Sequence, residues 1–310
     1  MIVIEVKNLT KEFPQPSGGA LKAVDDISFS VKEGEVFGLL GPNGAGKTTT
    51  LEIVEGIQPA TKGEIQVLEI DPQKQVNKIK EKIGVQLQAS AYFDYLTLEE
   101  ILKLFGSFYK KQMDSNKLLA IVDLAEKRKS LVRHLSGGQK QRFSICASLV
   151  NDPKIAFLDE PTTGLDPQAR HNIWEFIQKI NKEGKTVIIT THYMEEAQEL
   201  CDRVGIMDNG KIRALDTPLN LINQLEASGR IDFQTDRKAD LTELREIEGV
   251  VKVVQINHLK YHLRVNKVTE TFPKLISWAK GKGIQIVDEE VTHADLEDVF
   301  LELTGKKLKE

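Results

Sequence analysis

The chain has 310 residues, 28% of them charged and 40% hydrophobic, with a formal net charge of −4. That length accommodates two domains and a large core, and so mild an acidic balance excludes a nucleic-acid binder that works by charge alone. No apolar run approaches the ~20 residues that a membrane-spanning helix requires. Met1 leads directly into Ile2-Val3-Ile4-Glu5-Val6, without the basic segment and long apolar core of a signal peptide. Two cysteines, Cys146 and Cys201, lie far apart and lack metal-site spacing. They suit a reduced cytosolic protein in which both are buried as small apolar residues.

Residues 2–9 and 22–33 alternate apolar and polar side chains and read as antiparallel strands. Between them, Phe13 precedes a Pro/Gly/Ser-rich loop from Pro14 to Gly19. Val36–Leu40 is a short apolar strand, and a helix is expected from Lys47 to about Glu55. The turn between them, Gly41-Pro42-Asn43-Gly44-Ala45-Gly46-Lys47-Thr48, fits the phosphate-loop pattern G-x-x-x-x-G-K-[ST]. Its glycines let backbone N–H groups turn inward as an anion-binding nest, and the helix N-terminus adds unpaired N–H groups. Lys47 can reach terminal phosphates, and the Thr48 hydroxyl is placed to ligate Mg²⁺.

Gly63–Val67 and Ile83–Gln88 are strand-like, after which residues 97–131 change to helical spacing. Leu98, Ile101, Leu102 and Phe105 recur on one face behind a Thr97/Glu100 capping box, marking a helical insertion. Leu135-Ser136-Gly137-Gly138-Gln139 precedes a helix over Lys140–Leu149. A serine and two glycines at a helix start form a second anion site. One nucleotide does not need two such cradles from one chain, so a second chain is implied. Strand–helix alternation then resumes: strand Ile155–Leu158 ending in Asp159-Glu160, helix Pro167–Lys182, strand Thr186–Thr190 ending in Thr191-His192. Two further strands flank the Asn209-Gly210 turn. This order implies a parallel-rich sheet with the site at its strand tips.

A break falls near residues 227–230. Beyond it the pattern predicts strand 231–234, helix 240–247, strands 250–256 and 261–265, helix 269–280, strand 284–288 and helix 294–303. A β-α-β-β-α-β order of this kind suggests a small ferredoxin-like domain. Residues 306–310 read as a solvated tail.

Asp159 ends an apolar strand downstream of the phosphate loop, where a carboxylate can hold Mg²⁺ opposite Thr48. Glu160 follows directly. If the chain turns at the strand end, this second carboxylate can face the γ-phosphate and deprotonate an attacking water.

Taken together, these motifs resemble the ATP-binding cassette family, the motor subunits of ABC transporters, over about residues 2–220. Gly41–Thr49 is similar to the Walker A loop, Ile155–Glu160 to the Walker B strand with its catalytic glutamate, and Leu135–Gln139 to the family signature. Gly164-Leu165-Asp166 resembles the D-loop, His192 the switch histidine, and Phe13 the aromatic residue that stacks on adenine. Gln88 resembles the Q-loop glutamine, with Gln86 a nearby competitor.

The resemblance implies an α/β P-loop NTPase cassette over 1–227, with an antiparallel β subdomain and a helical subdomain at about 97–150. The small α+β domain over 228–310 would follow it. It further implies ATP as substrate and Mg²⁺ held by Thr48, Asp159 and Gln88. Lys47 and the loop amides, with Thr49, would bind phosphates, Glu160 would be the general base, and His192 would sense the γ-phosphate. Ser136, Gly137, Gly138 and Gln139 would close over the nucleotide of the other subunit, a second copy of the chain.

Integral membrane permease subunits on a separate chain are the expected partners, with no nucleic acid, placing the protein on the cytoplasmic face of the membrane. A soluble cassette ATPase of translation or DNA repair is the alternative; it usually has two fused cassettes or a long coiled-coil insertion. An unrelated nucleotide kinase or GTPase lacks the signature, and no Asn-Lys-x-Asp motif occurs. The segment Thr292–Thr304 resembles the C-terminal extension of ABC-2 type drug-resistance and sodium exporters, which favours export over the importer alternative. The aromatic patch Tyr92-Phe93-Asp94-Tyr95 either lines a groove for a helix of the membrane subunit or packs within the helical insertion.

Overall fold

The structure, a computed structural model, describes residues 1–16, 18–86, 92–227 and 229–305. Two compact units divide the described residues, Met1–Pro218 and residues 219–305. Each has its own apolar core.

In the first unit, β1 (Ile2–Pro14) pairs antiparallel with β2 (Ala20–Lys32). β3 (Val36–Leu40) follows and runs into α1 (Lys47–Val54). β4 (Lys62–Val67) returns to the far edge of β1 and completes a three-stranded sheet. After α2 (Val76–Lys80) and β5 (Ile83–Gln86), the helical insertion supplies α3 (Leu98–Gly106) and α4 (Ser115–Ile121). The Thr97 capping box is complete: the Glu100 N–H donates to Thr97 Oγ1 and the Thr97 N–H to Glu100 Oε2. Then come α5 (Gly137–Ser148), β6 (Ile155–Asp159), α6 (Pro167–Lys182), β7 (Thr186–Thr191), α7 (Met194–Leu200), β8 (Arg203–Asp208) and β9 (Lys211–Asp216).

These strands form a six-stranded sheet in the order β5-β6-β7-β3-β8-β9. All neighbours are parallel except β8 and β9. Every residue of β3, β6 and β7 is buried, as expected of parallel strands covered on both faces. That is why they read as unbroken apolar runs. The core links this sheet to the antiparallel one through Val6, Leu9, Phe29 and Phe37, with Leu51 and Ile53 of α1 packed among them. Phe29 and Phe37 stack at 5.3 Å between centroids. Cys146 and Cys201 are buried free thiols, and burial pushes both up from the usual thiol range.

A short helix, α8 (Pro218–Asn223), precedes the second unit's sheet. That unit runs β10 (Gly229–Thr235), α9 (Leu241–Glu246), β11 (Val250–Gln255), β12 (Lys260–Val265), α10 (Val268–Gly281), β13 (Ile286–His293) and α11 (Leu296–Thr304). Its antiparallel sheet is ordered β11-β12-β10-β13. Ile231, Phe233, Tyr261, Leu263 and Leu275 form its core, and the Tyr261 hydroxyl accepts from the Ala239 N–H at 2.8 Å.

Several elements differ from the sequence reading. β13 begins and ends later than the expected strand at 284–288, because Asp288-Glu289-Glu290 masks the alternation. Its ladder with β10 carries it through the acidic run, and charges on an exposed edge strand oppose further pairing. Three short helices, α2, α7 and α8, were not anticipated. α2 buries only Ile79, and α7 buries a glutamate, Glu196, alongside Ala197 and Leu200, so neither shows a clean apolar stripe.

Candidate active site

The turn after β3 folds as it does because of its glycines. Gly44 and Gly46 have φ of 80° and 99°, a region that favours glycine. A Cβ on Gly46 would meet the Ala23 carbonyl oxygen at 2.3 Å, and one on Gly41 the Met207 carbonyl oxygen at 2.3 Å. Gly46 is the residue from which α1 starts, and no side chain caps that helix. The Gly41 and Ala45 N–H groups donate to the carbonyls of Thr191 and Pro42; the other loop amides and those of the first turn of α1 are left for an anion.

A cavity of about 690 Å³ opens beside this turn. Asn43, Gly44, Gly46, Lys47, Thr48, Thr49 and Glu160 line it, together with Phe13, Ala23 and Gly210. The hairpin of β1 and β2 brings Phe13 there, with the Lys11 ammonium 4.9 Å from its ring centroid. Pro42 and Ala45 belong to the turn; Ala45 is buried and its carbonyl accepts from the Gly210 N–H at 3.0 Å.

Lys47 is 4% exposed, and its ammonium donates to the carbonyls of Gly41 (2.8 Å) and Pro42 (3.2 Å). The Thr48 hydroxyl donates to the Asp159 carboxylate, 3.2 Å from Oδ1 and 3.1 Å from Oδ2. The Thr190 hydroxyl also donates to Asp159. Burial pushes the Asp159 carboxyl above its ordinary range, against the pull of these two hydroxyls.

Glu160 leaves the strand with φ of 47°, so its side chain turns to the same side as the phosphate loop. Its N–H is held by Thr190, 3.2 Å from the carbonyl and 3.0 Å from Oγ1. One carboxylate oxygen lies 3.4 Å from Lys47 Nζ, and the other lies 3.3 Å from His192 Nδ1 and accepts from Thr163 Oγ1 at 3.1 Å. Burial works against its charge, but Lys47 and His192 outweigh it and hold the carboxyl below the usual range. A buried carboxylate kept ionised beside a phosphate loop can accept a proton from water.

The structure thus brings Lys47, Thr48, Asp159, Glu160 and His192 together. It does not bring Ser136, Gly137, Gly138 and Gln139 to this cavity. They start α5, where Ser136 caps the helix and Gln139 reaches back to the Ser136 N–H at 3.1 Å. Asp166 caps α6, accepting from the Ala169 N–H at 2.9 Å. Gln88 lies outside the described residues; Gln86, its competitor, ends β5 as a buried side chain. Thr190 and Thr163 were missed in the sequence. Two threonines closing an apolar strand, Thr190-Thr191, are the signal that could have found the first.

The donors at Thr48 and Asp159 are hard oxygens, and the two side chains are already in contact. That set fits Mg²⁺, which binds through one or two protein oxygens and completes its shell with phosphates and water. Among the described residues, no group of three or more His, Cys, Asp or Glu side chains could hold a metal by itself.

A family profile described as "ABC transporter" matches residues 24–163. The linearmycin resistance ATP-binding protein LnrL of Bacillus subtilis is 35% identical, covering 99% of this chain and 100% of the relative. The Nod factor export ATP-binding protein I of Ralstonia nicotianae is 34% identical, covering 99% of this chain and 95% of the relative. Among solved structures, a post-hydrolysis dimer of the cassette MJ0796 bound to ADP and Pi is 27% identical with a TM-score of 0.61. The match covers 69% of this chain and 98% of that one. The ATP-binding subunit of another ABC transporter is 27% identical with a TM-score of 0.62, covering 72% and 92%.

Proposed function

Because the chain belongs to the ABC transporter family as an ATP-binding subunit, an ATPase coupled to transport, we propose that it drives export through separate membrane subunits as a dimer of cassettes. The observation that carries the site reading is the placing of the Glu160 carboxylate between two cationic groups, one oxygen 3.4 Å from Lys47 Nζ and the other 3.3 Å from His192 Nδ1. In this reading the loop amides, Lys47 and Thr49 bind the phosphates, and Phe13 stacks on the base. Mg²⁺, held by Thr48 and Asp159 with Gln88, would offset phosphate charge. Glu160 accepts the proton of the attacking water, while Lys47 and His192 keep that carboxylate charged. His192 would also sense the γ-phosphate.

Dimerisation follows from the separation of the two anion sites. The amides at the start of α5 are not part of the cavity, so Ser136, Gly137, Gly138 and Gln139 would close on the nucleotide of a second copy, next to Asp166. In this reading the membrane partners are on another chain and the protein works at the inner face of the membrane; no helix among the described residues is long and apolar enough to cross one. Relatives named for resistance and export support the direction.

Glu160→Gln tests the assignment. ATP binding is retained, turnover falls by about 10²–10⁴-fold, and size-exclusion chromatography with ATP shows a trapped dimer. Turnover near the wild-type rate would refute Glu160 as the base. For the membrane partner, Tyr92 packs within the insertion, 5.2 Å from Phe143 and 6.0 Å from Phe105 between ring centroids. Phe93 and Tyr95 are 59% and 79% exposed, and these two would meet the membrane subunit. A photo-crosslinker at Phe93 that captures no co-purified membrane protein, with or without ATP, would count against that contact.

A further inference from the structure

Glu196 is a carboxylic acid with no access to solvent, in the first turn of α7. It takes no part in the proposed chemistry, yet its contacts converge from the segments that do. Its Oε1 accepts from the Thr162 hydroxyl at 2.8 Å and from the Trp174 indole N–H at 3.1 Å. Thr162 is fully buried just past Glu160, and Trp174, 4% exposed, lies on α6, the helix that Asp166 caps. On the other side, His192 lies in the short stretch joining β7 to α7, four residues before Glu196, and the Thr191 side chain favours the charged form of Glu196.

We propose that Glu196 is a positioning residue for ATP hydrolysis. Its carboxyl ties together the segment carrying Glu160, the segment carrying His192 and the helix that begins at Asp166. This rests on the reading of Glu160 and His192 given above and adds what holds them in place.

The physical case is one of satisfaction. Thr162 Oγ1 and Trp174 Nε1 are buried donors, and a buried donor without a partner is costly. One acceptor serves both, so the end of β6 and the body of α6 are positioned by the same atom. Glu160 and His192 meet at 3.3 Å, and catalytic geometry of this kind is sensitive: a misplacement on the order of 1 Å can cost about a hundredfold in rate. A burial-raised pKa favours the neutral acid at Glu196, for which Gln is close in shape and keeps an acceptor oxygen. Leu is similar in size and keeps none.

The test is steady-state MgATP turnover by the purified full chain, comparing Glu196→Leu, Glu196→Gln, Thr162→Val, Trp174→Phe and the Glu196→Leu/Thr162→Val pair. The expected result for Glu196→Leu is a kcat lowered at least tenfold with KM changed less than twofold. Glu196→Gln recovers most of that loss, and adding Thr162→Val to Glu196→Leu lowers kcat no further. Turnover of Glu196→Leu within twofold of wild type overturns the proposal. Equal impairment by Gln and Leu, with additive effects of Thr162→Val, also overturns it, since that pattern marks general damage to the fold.

If Glu196→Leu does not fold, Thr162→Val and Trp174→Phe carry the test: lowered kcat at constant KM and a non-additive pair support the tie, and unchanged or additive effects sink it. Glu160→Gln is run in parallel. Its continued turnover would overturn the underlying site reading, whereas an inactive Glu160→Gln beside a normal Glu196→Leu overturns only the role of Glu196.

Discussion

At Glu160 the backbone departs from the strand with φ of 47°, and that single torsion places two successive carboxylates on one side of the chain. Asp159 meets Thr48 while Glu160 meets Lys47 and His192. The Asp-Glu pair and the strand end were legible in the sequence, with Pro161 directly after them; the positive φ at Glu160 was not, because no local pattern assigns that torsion to a glutamate. Gly46 shows the same dependence on surroundings. Its φ of 99° and the Ala23 carbonyl 2.3 Å from any Cβ leave no room for a side chain. Gly46→Ala is therefore expected to lower unfolding free energy by on the order of 1–3 kcal/mol and to weaken nucleotide binding, read by thermal melting with and without ATP.

Glu55, at the end of α1, is 2% exposed, and burial lifts its pKa from 4.5 to about 8. A raised acid binds its proton more tightly in the folded state. Its stabilising contribution is whole below pH 4.5 and is lost as pH rises through 8. Denaturant unfolding should weaken by up to about 1.4 kcal/mol per pH unit within that window, and Glu55→Gln should flatten the profile.

Among the elements, α5 separates what a helix needs from what a site needs. Its capping box satisfies two N-terminal donors, and Ser136→Ala should cost about 0.5–2 kcal/mol in a urea titration. Gly137 is different. No atom lies within 4 Å of where its Cβ would stand, and its φ is not in the left-handed region, so neither packing nor torsion within this chain requires glycine there. Gly137→Ala should leave stability unchanged or raise it by up to about 1 kcal/mol through helix propensity. ATP-driven dimerisation and turnover should fall, because the missing side chain would be room kept for a nucleotide on another copy. Unimpaired dimerisation would separate this glycine from any role in trans. The capping box at Thr97 was read from spacing alone; the one at Ser136 came from the structure. α7 was not read from the sequence, since its buried Glu196 is charged in sequence and finds its partners, Thr162 and Trp174, only in three dimensions.

For the whole molecule, two separate cores imply two cooperative units. Each holds one of the two tryptophans, Trp174 in the first and Trp278 in the second. Urea unfolding followed by Trp174 in Trp278→Phe, and by Trp278 in Trp174→Phe, should give different midpoints. Coincident curves would mean a single cooperative unit.

From the sequence alone came the phosphate loop, the strand carrying Asp159, the Ser136–Gln139 helix start and the order of the strands and longer helices of both units. Each of these is a local matter: glycine torsions, caps and apolar periodicity act over a few residues, so spacing reveals them. Tertiary structure decided which of these distant pieces form one site. It set Glu160 between Lys47 and His192, bound Asp159 through Thr190, and seated Glu196 beneath two buried donors. Those contacts depend on the parallel register of β6, β7 and β3, which brings together residues more than a hundred positions apart. No local pattern records that register, because it follows from packing the sheet against everything that covers it.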